Sequence, residues 1–229
     1  MICQFFRKLV LTVTVTLSAS SYSYAAMPEY CQNSKSDLDS WVALVKRQLE
    51  NHDPRNARKL SVISSDIIYG DEHQFRKDIV GVDPNTPLKT LAGDMSFLEL
   101  AASACHIGIA KALVEAGASP NGNGDSTPLV AAAAKDDVEM IKYLIEHGAR
   151  IEKTDRNGMA ALEMAVRARS ANSTKMLLSL GAYPNNKLAG GGTLLDLVGH
   201  SSEPADRALA EELKRGGGVF GQISIQPKQ

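Results

Sequence analysis

The residues that could do chemistry here are five histidines, three cysteines, a glycine run and one acidic pair. His52, His73, His106, His147 and His200 are scattered, with none of the spacings that let side chains converge on a metal. Cys105-His106 has the residue types of a thiolate–imidazole nucleophile, but neighbours in a turn point apart. Gly190-Gly191-Gly192 lacks the following lysine and preceding strand of a phosphate loop, so it reads as a turn. Asp136-Asp137 suits a helix N-terminus better than a cation site, and His147 suits a helix C-terminus. The expectation is a chain with no catalytic residue, no cofactor and no metal.

The elements that would have to position such residues come next. The 229 residues are 44% hydrophobic and 22% charged but only 5% aromatic, with Trp41 the single tryptophan. A core of alanine and leucine favours closely packed helices over a sandwich or barrel. A net charge of -1 gives no reason to expect nucleic acid. Arg7 and Lys8, the apolar run Leu9 to Ala19 and the small residues before Ala25 read as a signal peptide over 1–25. The alternative is an uncleaved anchor, for which the apolar run is short. Cleavage removes Arg7 and Lys8, leaving 23 basic against 26 acidic residues, a balance of -3. The expected location is the periplasm or outside the cell, with no stable membrane insertion. Cys31 and Cys105 then remain, as a disulfide or as two buried thiols; the even pair in an oxidising compartment favours the bridge.

A repeat organises the rest. Blocks start at Ser96, Thr127, Ala160 and Thr193, at spacings of 31, 33 and 33 residues, and end at Gly117, Gly148, Gly181 and Gly216. Within them Val138, Ile141, Leu144 and Ile145 share a helical face, as do Ile107, Ala110, Leu113 and Val114, and Ala171, Thr174, Leu177 and Leu178. Each block reads as turn, short helix, longer helix and glycine stop. Gly81 marks an earlier ending, with two helices expected over 54–80 and a start at Asp53-Pro54. Leu38, Trp41, Val42, Leu44, Val45 and Leu49 form an amphipathic helix, either an N-terminal cap or a separate partner-binding helix.

Thr127-Pro128-Leu129, the Gly-Ala stops at 117, 148 and 181, and Gly117-Ala118-Ser119-Pro120-Asn121 resemble the ankyrin repeat, in the form found in exported bacterial proteins. The resemblance implies an all-α solenoid of stacked helix pairs: a cap and degenerate first repeat over 26–90, repeats over 91–217 and a loose tail over 218–229. It also implies a recognition surface on the turn fingers and the open side of the short helices, which here means Met95, Asn123, Ser126, Lys135, Arg156, Asn157, Met159, Arg167 and Tyr183. The partner so implied is another folded protein. Two roles fit: an immunity protein blocking an envelope-acting toxin, or an accessory factor supporting an enzyme such as a periplasmic catalase.

Overall fold

The computed structural model describes residues 34–221, apart from 53–54, 91–92, 124, 126 and 189–190. The leader, Cys31, Ser126 and the Asp53-Pro54 start lie outside the described residues. Eleven helices carry the fold among them. α1 (Lys35–His52) leads, followed by the pair α2 (Ala57–Tyr69) and α3 (Glu72–Asp78). The next pairs are α4 (Phe97–Ser103) with α5 (Ile107–Glu115), and α6 (Pro128–Ala134) with α7 (Val138–Glu146). Last come α8 (Ala161–Ala168) with α9 (Ala171–Ser179), and α10 (Leu194–Val198) with α11 (Pro204–Arg215).

The first helices of the pairs, α2, α4, α6, α8 and α10, pack in sequence as an inner layer; α3, α5, α7, α9 and α11 form an outer layer behind them. Small residues permit the close inner contacts. Ala101, Ala102, Ala132, Ala133, Ala161 and Ala165 are all fully buried between neighbours. Caps recur at block starts: Ser96 Oγ accepts from the Glu99 N–H at 3.0 Å and Thr127 Oγ1 from that of Val130 at 3.1 Å. The third start, Ala160, has no side chain to do this. In the outer helices the middle of each apolar face is buried, as at Ala110, Leu113, Ile141, Leu144, Thr174 and Leu177. Ala171 departs from the expected pattern and is exposed.

α1 packs on α2 through Leu38, Trp41, Val42, Val45 and Leu49, and so lies where a cap would. Leu44 is off that stripe and is exposed. Three local features differ from the sequence reading. A two-stranded antiparallel ladder, β1 (Leu88–Thr90) with β2 (Gly93–Met95), forms the first finger, and α1 packs on β1. The final glycine stop is Gly217, at φ +87, while Gly216 keeps a right-handed conformation. Gly217 and Gly218 donate to the Lys214 and Leu213 carbonyls, as Gly148 and Ala149 do to Ile145 and Leu144. The paired bonds of this helix ending need left-handed backbone at their first donor, and that fixes the register. Finally, the chain after Gly218 is held in place as far as Gly221. Val219 O accepts from Thr193 Oγ1, Gly221 N–H donates to Asp196, and Phe220 stacks on His200. Residues 222–229 lie outside the described residues.

Candidate functional site

The chemistry-bearing residues are built into the frame. Cys105, Asp136 and Arg169 occupy the same left-handed turn between inner and outer helices, at φ of 60, 55 and 60°. Cys105 is buried. His106 turns away from it and donates from Nε2 to the Ile68 carbonyl at 3.2 Å, against the face of Gly70. Burial pulls its imidazole below the ordinary range, with the Ile68 bond opposing, so the ring is neutral at physiological pH. Asp136 accepts from the Ser173 N–H at 2.6 Å and from Asn172 Nδ2 at 2.8 Å, holding the start of α9. Asp137 caps α7 through Met140; burial raises its carboxyl and the capping bond opposes that. His147 binds the Tyr143 carbonyl at 2.8 Å at the end of α7. Among the described residues no group of three His, Cys, Asp or Glu side chains is placed to hold a metal ion.

A second ladder went unrecognised in the sequence. Asn85 Nδ2 donates to the Gly117 carbonyl at 3.0 Å while its Oδ1 accepts from Ser119 N–H at 2.8 Å. Asn121 does the same to Gly148 and Arg150, and Asn185 to Gly217 and Val219. Each asparagine stands four residues after a glycine stop and ties its repeat to the following one. At the remaining stop the position is Glu152. Its carboxylate accepts from the Tyr183 N–H and from Asn186 Nδ2 but cannot donate to Gly181. The signal was present as an asparagine at a fixed offset from glycine, and Glu152 interrupted it.

The nine expected contact residues divide between fingers and inner helices. Met95 is half-buried and packs on the core. Asn123 is exposed and donates its amide to the Asn85 carbonyl. Arg156 joins two fingers: its N–H donates to Asp125 O at 2.6 Å, and its guanidinium stands 3.8 Å from the Asp125 carboxylate. Asp125 in turn bonds Asp94 through backbone and side chain. Gly93 lies under this junction at φ +114, where a Cβ would meet the Asp125 carboxylate and the Arg156 guanidinium. Asn157 and half-buried Met159 both donate backbone N–H to Asp155 Oδ1 at 2.8 Å, which fixes the third finger. Tyr183 is exposed, its ring reaching solvent from the next finger.

On the inner helices, Lys135 follows α6 and is half-buried, and burial lowers its ammonium from the ordinary lysine range. Arg167 on α8 is exposed and pairs with Glu163 at 2.7 Å, one turn back. Between and beside them Ala131, Ala134, Met164, Ala168 and Leu197 reach the surface to varying extents. This flank carries regularly spaced side chains on helices fixed by caps, glycine stops and the asparagine ladder.

Comparison with known proteins agrees with this geometry. Residues 98–187 match the family model described as ankyrin repeats, in three copies. A stretch of 79 residues is 42% identical to human "SH3 and multiple ankyrin repeat domains protein 2". It covers 33% of this chain and 4% of that relative, so the chain spans only a small part of the relative's length. Ankyrin repeats are protein-binding scaffolds, and with their caps, stops and paired helices on the page, residues 98–187 of this chain are ankyrin repeats.

Proposed function

We propose that this chain is an exported, non-enzymatic module that binds another folded protein across its inner helices and fingers. The observation that carries the reading is the open flank of α6, α8 and α10. Ala134, Arg167, Ala168 and Leu197 are exposed there, on a scaffold whose internal hydrogen bonds are largely satisfied. Stacked repeats give an extended rigid surface, which suits a folded protein better than a small molecule. An interface of about 1,600 Å² is the standard size for a specific complex and fits such a surface. Export rests on the leader pattern over 1–25. In that setting Cys31 pairs with Cys105, and the bound protein is a toxin acting in the envelope, which this chain blocks.

The binding test is capture from an envelope extract with wild-type and Arg167→Glu protein, with a melting curve for each. The variant should melt close to wild type and recover less partner. Equal recovery would place the interface elsewhere, and no recovery by wild type would remove the binding role. The immunity role is tested by challenging cells that lack the gene with toxin-bearing siblings. Death supports it; unimpaired survival favours support of an envelope enzyme such as a catalase.

A further inference from the structure

Two cations stand on the open flank of the inner helices, and their surroundings differ. Arg167 already faces a carboxylate, that of Glu163, at 2.7 Å. Lys135 has no carboxylate or carbonyl partner for its ammonium among the described residues. It is nevertheless half-buried, directly after α6, with Ala131 and Ala134 on its own helix. The equivalent positions of the neighbouring inner helices hold Ala104 and Ala168, which add neither charge nor bulk. A half-buried lysine packs its apolar stem on the helix and leaves its charge without a counter-charge, so an incoming anion gains a partner there.

Resting on the binding face proposed above, we infer that Lys135 is a specificity-determining contact for a carboxylate. The bound polypeptide segment presents an aspartate or glutamate flanked by apolar side chains. The carboxylate meets the Lys135 ammonium, and the flanking groups cover Ala134, Met164, Ala168 and Leu197. The alanines let the partner's backbone come close enough for the pair to leave water, where a charge-assisted bond is strongest. Burial that lowers the ammonium in the free protein is consistent with this, since a bound carboxylate opposes that shift.

The test uses the full mature chain and two matched peptide arrays. In one, a central Asp or Glu lies between Leu, Met or Phe; in the other, Asn or Gln replaces the acid. Wild type should retain the acidic set about tenfold better than the amide set, the difference for one desolvated charged contact. Lys135→Met should lose the preference while melting close to wild type, since it keeps the apolar stem and removes a half-buried charge that has no carboxylate partner. Lys135→Arg should keep it. Equal retention of both sets by wild type, or an unchanged preference in Lys135→Met, overturns the role of Lys135 and leaves the binding face standing. Retention of neither set also overturns it, and the capture experiment with Arg167→Glu then decides separately whether the face binds a protein.

Discussion

Arg169 and Asp206 join the fourth helix pair to the last one. Arg169 Nε and Nη2 donate to the two oxygens of Asp206 at 2.7 and 2.9 Å, with the carboxylate buried and the guanidinium half-exposed. Arg169 holds a left-handed turn, φ +60, that favours glycine, so its side chain offsets backbone strain. Arg169→Ala keeps the unfavourable backbone and loses the pair, and should destabilise α11 by about 1.5–3 kcal/mol, the range for charged hydrogen bonds. The bond from Arg169 first, and that from Ser201 second, hold the Asp206 carboxyl below its ordinary range. Its stabilising contribution is therefore present above the unfolded value and lost as pH falls through the folded one. Acid melts should show the wild-type advantage over Asp206→Asn shrinking progressively as pH falls below about 4. An advantage that stays constant as the pH falls would refute the pair's role.

Asp66 gives the opposite sign. Burial, then a hydrogen bond that its protonated carboxyl donates to Asp78 and the charges of Asp78 and Asp71, raise it to about 7. Its stabilising contribution is complete below the ordinary carboxylate range and is lost as pH rises to and beyond 7. Asp66→Asn should therefore melt higher than wild type at alkaline pH, by about 2–4 °C, equivalent to ~1 kcal/mol in a domain of this size. The difference should close near pH 4, the unfolded value. A constant difference across that range would show that the aspartate does not titrate as its surroundings require.

The helix pairs were legible because their signals are local. Thr127-Pro128-Leu129 sets a turn and a cap within three residues, and Gly148-Ala149 ends a helix within two. The links between repeats were not legible, because each joins residues roughly one repeat apart. Asp136 with Ser173, Arg169 with Asp206 and Asn121 with Arg150 leave no periodic hydrophobic mark. The same reach affects the expected contact residues. Arg156, Asn157 and Asn123 look like spare polar groups in sequence, yet each has a bond within or between fingers. Leu88-Lys89-Thr90 was too short to read as a strand, and the choice between Gly216 and Gly217 needed backbone geometry.

Leu144 is fully buried in α7. Leu144→Ala should cost about 2–5 kcal/mol. Repeat arrays rest on nearest-neighbour contacts, so hydrogen exchange should quicken in α5 and α9 as well as in α7. A loss below about 0.5 kcal/mol would be surface-like and would contradict the packing.

Cys105 is buried in the turn between α4 and α5, and the proposed bridge to Cys31 ties the segment before α1 to that turn. The mature, denatured and unreduced chain should show no reactive thiol, and reduction should release two. Loss of the bridge through Cys31→Ala should lower stability by about 2–4 kcal/mol. Two thiols before reduction would remove the bridge.

The asparagine ladder can be tested at its intact rung and at its altered one. Asn121→Ala breaks the bonds to Gly148 O and to the Arg150 N–H, at 3.0 and 2.8 Å. Both are exposed, so water replaces much of what is lost, and the expected loss is about 1 kcal/mol. It should be concentrated at the joint between the second and third clear repeats, with faster amide exchange at Arg150. Glu152→Asn is the converse. An asparagine can donate to the Gly181 carbonyl and still accept from Tyr183, as Asn185 does from Val219. It gives up the Glu152 contact to Asn186, a charge-assisted bond at 2.9 Å. One bond replaces another, so stability should change by less than about 0.5 kcal/mol, while the Asn186 side-chain amide loses its bonded signature and backbone exchange at Tyr183 stays slow. Fast exchange at Tyr183 in Glu152→Asn would show that the ladder geometry depends on the carboxylate, and that this joint differs in kind from the other three.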